Sequence, residues 1–369
     1  METRIENVRF MQAGTMCFGD IYIKDGFVER VEYKTPKPLA ALAIMGFVDV
    51  HTHGFHGIST YCKDEQKLRQ LAVEYAKRGV VGFCATLDPL SLREYDEIIQ
   101  VYRTAFQGEY NGARCYGIHL EGPYLNPEKA NDVDITTLQA IDLKELETFL
   151  WKNSDIVKIM SISPELPHAM EAIAMLHRFG IIVSIAHTNI SYEGCLEAFE
   201  HGASQVTHLC NAMDDINHHM AGVMDAIILN DCMCEINMDG VHVQKPMLQW
   251  LLKLLGKRRL MAISDGSSYS GFEYPDGYQL DEHHTVKDNA IYCNGHLCNS
   301  FKDILDAFRY LYLDLELPLD DCVMICSTNA AQTLKTLNYD IVLGRKADIV
   351  VLDHNGELQD VIINGKHAL

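Results

Sequence analysis

His51-Thr52-His53 closes the apolar run FVDV. Alternation along a strand would point both imidazoles the same way, as chelation of one cation requires. An isolated HxH reads equally well as turn histidines with surface hydrogen bonds, but this one has company. Glu121 stands in GIHLEGPYLNP, His187 in SIAHTN and His208 in VTHLCNAM, each after an apolar run. Two His and one Glu, with one position left for water, form a known type of catalytic zinc site, in which the bound water ionises near neutral pH. Taken singly, Glu121 is better read as a buried carboxylate held by backbone N–H groups; three converging strand ends favour a metal centre. Asp265, in MAISDGSS, suits a further ligand and a general base that takes a proton from water and returns it to a leaving amine. An Asp before Gly-Ser-Ser also suits a turn or helix cap, and spacing does not separate the two roles.

The elements that must position these residues alternate along the chain. In residues 68–79, LRQLAVEYAKRG, the residues Leu68, Leu71, Ala72, Tyr75 and Ala76 share one helical face and Gly79 supplies the stop. The same order of helix, glycine and apolar run recurs around Gly180, Gly202 and Gly256, which implies parallel βα units. Eight runs qualify as strands: IMGFVDVHTH, VVGFCATLD, RCYGIHLEGP, IVKIMSISPE, IIVSIAHTN, SQVTHLC, CEINMDGVH and LMAISDG. Each has polar or ionisable residues at its carboxyl end, where a (β/α)8 TIM barrel assembles its active site. A doubly wound open sheet is the rival, and it would not explain reactive residues after so many separate strands. The ends of the chain differ, with short β-like segments and Gly and Asp turns in residues 2–34 and 341–369. We therefore expect an α/β chain in which residues 41–334 form the barrel, with a small β-sandwich domain built jointly from residues 1–40 and 335–369.

Composition narrows the partners. The 369 residues are 48% hydrophobic and 22% charged, enough for a sizeable core. A formal charge of −20 argues against nucleic acid and anionic membranes. The 12 cysteines follow no repeating spacing, which fits reduced thiols in a cytoplasm better than a disulfide framework. No apolar run approaches the roughly 18 residues that span a bilayer, and the amino terminus has no targeting pattern. The pairs His218-His219 and His283-His284 read as exposed neighbours, and Cys232 and Cys234 as core thiols. Neither a GxSxG elbow nor a GxGxxG or GxxxxGK[ST] loop occurs, so nucleophile-elbow, dinucleotide and P-loop chemistry has no support.

Taken in order, GFVDVHTHG at 46–54, HLEGP at 119–123, AHT at 186–188, THLCNAM at 207–213, MDGVHV at 238–243 and SDG at 264–266 resemble the N-acetylglucosamine-6-phosphate deacetylases of the amidohydrolase superfamily. The resemblance runs to the terminal GRKADIVVLD. It implies that Glu121, His187 and His208 hold the main metal, and that His51 and His53 admit a second ion bridged by Glu121. It further implies that Asp265 is the catalytic acid/base and that His242 contacts substrate and polarises the scissile carbonyl. Asn211 and the backbone of Ala212 would hold a substrate phosphate. One or two divalent ions per subunit, a small amino sugar substrate and a homodimer follow from the same likeness, and His and carboxylate ligands suit Zn, Fe, Mn or Co.

Two positions depart from the family's pattern. Where an arginine usually grips the phosphate from a neighbouring subunit, NAMDDINHHMAG offers His219, a ring with pKa near 6.5 in place of a permanently charged fork. Where a Gly-Ala-His element is common after HLEGP, this chain reads NPEKANDVD, with Ala130, Asn131, Asp132 and Asp134 in that neighbourhood and Lys129 as the nearby cation. The expected activity is metal-dependent removal of acetyl from an N-acetylated amino sugar, with N-acetylglucosamine 6-phosphate foremost. Alternatives are N-acetylgalactosamine 6-phosphate or an unphosphorylated sugar, another amide or cyclic substrate, and a non-catalytic sugar-phosphate or metal binder.

Overall fold

The computed structural model describes residues 2–12, 14–37, 39–288, 290–336 and 341–368. Eight strands pair in chain order into one parallel sheet: Phe47–Thr52, Val80–Leu87, Arg114–Glu121, Val157–Ile162, Ile182–Ile185, Ala203–Val206, Met233–Asn237 and Leu260–Ile263. They are the eight runs expected, and the helices between them cover the outside of the sheet. Strands buried on both faces read as near-continuous apolar runs, which is why the runs were visible. The helix Glu65–Ala76 shows how the helices dock. Asp64 caps it by accepting from the backbone N–H groups of Gln66 and Lys67, and the buried face is Leu68, Leu71, Ala72, Tyr75 and Ala76, the stripe read from the sequence.

The seam between the eighth strand and the first is closed by bonds just beyond the paired residues. Asp265 N donates to His51 O at 2.9 Å and His53 N to Gly266 O at 2.7 Å. Asp49 reinforces the seam from inside, accepting from Ser264 Oγ at 2.6 Å and from the backbone N–H of His51 at 3.2 Å. The barrel thus closes at the rim that carries His51, His53 and Asp265.

Both ends of the chain build a seven-stranded sheet, ordered Lys366–His367, Leu358–Ile363, Ile349–Leu352, Leu42–Met45, Glu2–Gln12, Thr15–Lys24 and Phe27–Tyr33. Leu42–Met45 lies parallel to Glu2–Gln12 and antiparallel to Ile349–Leu352, so the sheet reaches past residue 40. The sandwich-like unit is one sheet folded over its own core of Ile5, Phe10, Ile21, Ile349 and Ile362. Bonds from Val28 N to Arg345 O and from Gly344 N to Val28 O, 2.9 and 2.8 Å, bring its far edge back to the segment entering Ile349–Leu352. Gly46 N donates to Asp348 O at 2.9 Å, and the Asp348 carboxylate pairs with Arg114, which ties this sheet to the base of the barrel.

One element escaped the sequence reading. Between the eighth strand and the helix Ile304–Arg309, the strands His284–Lys287, Ala290–Cys293 and His296–Leu297 form a small antiparallel sheet. Its last strand delivers residues 296–299 to the mouth of the barrel. All twelve cysteines are free thiols, with Cys232 and Cys234 in the core. Among the described residues no helix is long and apolar enough to cross a membrane.

Candidate metal centre and active site

Glu121, the last residue of the third barrel strand, stands between two pairs of histidines. Its Oε1 lies 3.3 Å from His187 Nε2 and 2.9 Å from His208 Nε2. Its Oε2 lies 3.2 Å from His51 Nε2 and 3.3 Å from His53 Nε2. Asp265 Oδ1 joins the second pair at 3.5 and 3.4 Å from the same nitrogens. The structure therefore brings together all six residues singled out as ligands.

Each ring is turned so that Nε2 faces inward. His51 Nδ1 is held by Glu235 Oε2 at 2.8 Å and His187 Nδ1 by the carbonyl of Lys129 at 2.8 Å, while His53 Nδ1 faces Asp88 Oδ1 at 3.1 Å. A proton on Nδ1 leaves the Nε2 lone pair free for a cation. His187, His208 and Asp265 all take left-handed backbone, φ 45°, 29° and 50°, a conformation unfavourable for these residues and concentrated at functional sites.

The electrostatics point the same way. Burial alone would raise the carboxyl groups of Glu121 and Asp265, yet the facing imidazoles, His51 foremost, hold both well below the usual carboxylate range. Against the opposing effect of burial, the carboxylates in turn raise His51 and His53 well above the ordinary imidazole value. The pocket is built to hold positive charge, and its nitrogen and oxygen donor set fits a divalent cation.

A cavity of about 260 Å³ opens over this cluster at the carboxyl ends of the strands, as in other barrels of this class. His53, Glu121, His187, His208, Asp265, His242, Asn211 and Ala212 line it. His242 donates from Nδ1 to Asp239 Oδ2 at 2.6 Å and from Nε2 to the carbonyl of Cys298. Burial opposes its protonation, but the Asp239 hydrogen bond prevails and raises the ring to about 9. Asn211 Nδ2 is buried and finds no partner among the described residues, which leaves a donor for a ligand.

His219 is not brought to this cavity. It is exposed, and its ring lies 3.9 Å from that of His218. Lys129 is also elsewhere, since its Nζ pairs with Asp214 Oδ1 at 2.6 Å. Asp134 caps the turn Ile135–Thr137, whereas Asp132 lines the cavity mouth. Its surface is open to solvent, but surrounding protein atoms crowd the carboxyl. That crowding, with Asp88 and Asp265 nearby, raises it to about 6. Among the described residues no Lys or Arg lines the cavity. His218-His219 and His283-His284 join no cluster of three ligands among the described residues.

Sequence reasoning passed over Asp88, Val133 and the stretch 296–299, all lining residues, as well as Asp49 and Glu235 behind the first histidine pair. Asp88 comes directly after the second strand, as Glu121 ends the third, and that position was its signal. Nothing in the linear pattern marked the others.

The amidohydrolase family model matches residues 42–368. An N-acetylglucosamine-6-phosphate deacetylase of Lysinibacillus sphaericus is 27% identical over 94% of this chain and 92% of its own. An N-acetylgalactosamine-6-phosphate deacetylase of Shewanella sp. (strain ANA-3) is 28% identical over 88% of this chain and 82% of its own. In structure, the chain is similar to an N-acetyl-D-glucosamine-6-phosphate deacetylase variant of Mycobacterium smegmatis, solved in complex with N-acetyl-D-glucosamine-6-phosphate. That match has a TM-score of 0.90 and 24% identity, and covers 100% of this chain and 99% of the other.

Proposed function

The chain belongs to the amidohydrolase family, and on that premise we propose that it hydrolyses the acetamide of an N-acetylated amino sugar phosphate, N-acetylglucosamine 6-phosphate foremost, to acetate and the free amine. The observation that carries the hydrolytic reading is Glu121 set between two histidine pairs with Asp265 beside one of them. The choice of substrate draws on the full-length likeness to deacetylases.

Glu121, His187 and His208 would hold one divalent ion, and His51, His53 and Asp265, sharing Glu121, a second; Zn, Fe, Mn and Co all suit these donors. Such an ion activates water and polarises a carbonyl. The chain's own residues do the rest. Asp265 accepts a proton from the attacking water and delivers it to the departing nitrogen. His242, kept protonated by Asp239, stabilises charge developing on the carbonyl oxygen, for which its Nε2 hydrogen must exchange the Cys298 carbonyl for substrate. Asn211 Nδ2 and the backbone of Ala212 receive the phosphate. His219, exposed on its loop, reaches the site of a second copy in a homodimer.

Residues 41–334 serve as the hydrolase unit, with 1–40 and 335–369 as the terminal β unit, whose sheet borrows Leu42–Met45 from the hydrolase unit. Twelve free thiols accord with a cytoplasmic setting.

One observation favours a second reading, the same hydrolysis of an unphosphorylated N-acetyl sugar: Asp132 stands at a mouth lined, among the described residues, by no Lys or Arg. Acetate release from N-acetylglucosamine, its 6-phosphate and N-acetylgalactosamine 6-phosphate decides between them. We expect the 6-phosphate of N-acetylglucosamine to give the highest kcat/KM; release from none of the three would overturn the deacetylase reading.

A further inference from the structure

The two histidine pairs differ in what stands behind their rings. His187 is backed by a neutral carbonyl, and His208 Nδ1 has no hydrogen-bond partner among the described residues. Behind His51 and His53 stand carboxylates: Glu235 is hydrogen-bonded to His51 Nδ1, while Asp88 Oδ1 lies 3.1 Å from His53 Nδ1 as an ion-pair contact only. Asp88 is half exposed at the mouth, whereas Glu235 is wholly buried inside the barrel on the seventh strand.

A buried carboxylate is costly unless a cation or several hydrogen bonds compensate it. Among the described residues Glu235 has no Lys or Arg partner. Its Oε2 accepts from His51 Nδ1 at 2.8 Å and its Oε1 from Gln205 Nε2 at 2.5 Å. His119 lies close, but it spends Nδ1 on the carbonyl of Val50 and Nε2 on Ser161 Oγ, at 3.0 and 2.8 Å. His51, His119 and Glu235 are therefore not a cation site of their own, and the charge of Glu235 acts through His51.

Resting on the metal-hydrolase reading above, we propose that Glu235 is a positioning residue that commits the His51 and His53 side of the centre to a cation of its own, separate from the one at Glu121, His187 and His208. The carboxylate keeps the His51 hydrogen on Nδ1, aims Nε2 at Glu121 Oε2 and His53 Nε2, 3.2 and 3.1 Å away, and makes the ring a stronger donor. Gln205 fixes the carboxylate from the other side. A dication at His51 and His53 would in turn balance the charge of Glu235, to which no Lys or Arg among the described residues pairs.

The test is metal stoichiometry and affinity, measured on the full chain by elemental analysis and chelator competition with Zn or Mn. Two ions per chain are expected for the unaltered protein. Glu235→Leu fills the space without charge, and Glu235→Gln keeps an acceptor for His51; each is expected to hold one ion tightly and to bind the second about 10- to 100-fold more weakly, Gln less severely than Leu. If Glu235→Leu does not fold, Glu235→Gln decides. A purely structural role would lower the thermal midpoint of the metal-free protein and weaken both ions alike, and that result overturns the proposal. So does a single ion in the unaltered chain, or two undiminished ions in both variants. Acetate release by the unaltered enzyme is scored separately, so two ions without deacetylation would remove the substrate reading and leave the role of Glu235 standing.

Discussion

His242 and Asp239, three residues apart after the seventh barrel strand, are joined by a 2.6 Å bond from ring Nδ1 to carboxylate Oδ2. The bond holds the ring's titration at about 9, above its ordinary 6.5, although burial opposes this. A histidine raised on folding contributes stability that is fully present below 6.5 and lost as pH climbs through 9. At 1.36 kcal/mol per pH unit, the loss across that window is about 3 kcal/mol. Urea unfolding between pH 6.5 and 9 should show a decline in the parent protein that His242→Gln lacks; parallel curves would remove the pair from the account. If the protonated ring also polarises substrate, kcat falls on the alkaline side with a midpoint near 9.

Asp265→Asn keeps the size and one oxygen of the side chain but removes the proposed base. We expect kcat to drop by about 10²- to 10⁴-fold, the usual contribution of a positioned acid/base group. Metal content should stay nearly intact, because Glu121 and four imidazoles remain. Full turnover in this variant would remove Asp265 from proton transfer.

Glu121→Gln strikes both halves of the centre, since each carboxylate oxygen faces its own histidine pair. Elemental analysis should find both ions depleted, not one. Chelation of the unaltered enzyme should abolish acetate release and lower the thermal midpoint, with both restored on adding back Zn or Mn, because an ion that binds only the folded chain stabilises it. A variant that keeps one tight ion would show that Glu121 does not bridge.

His219→Arg restores a permanent positive charge to the exposed loop. If that loop grips a phosphate across subunits, KM for the 6-phosphate should fall about tenfold, the worth of one charge-assisted bond. KM for unphosphorylated N-acetylglucosamine should not move. Equal changes for both sugars would mean that the loop does not read phosphate.

The candidate ligands were legible because each stands where an apolar run ends, and a barrel gathers all such ends at one rim. Glu121, His187 and His208 could be named without knowing how far apart they lie. Glu235 was hidden by the same logic. In CEINMD it alternates with Cys234 and Ile236, as a solvent-facing residue would on a one-sided sheet. Only closure of the barrel turns that face inward, leaving Cys234 and Ile236 to pack beneath the helices. The stretch 296–299 was hidden for a different reason: its strands are two to four residues long and lie outside the βα rhythm. His219 was visible as a residue type but is placed outside the cavity of its own chain.

Leu42–Met45 has one neighbour from each end of the chain, Glu2–Gln12 and Ile349–Leu352. A nascent polypeptide therefore emerges with all six candidate ligands made while this strand still shows a bare edge, the kind that recruits other chains. Ile349–Leu352, made after all six candidate ligands, seals that edge. Damage to Ile349–Leu352 would thus appear first as clumping and chaperone dependence in the cell, with the chemistry of the surviving soluble molecules unchanged.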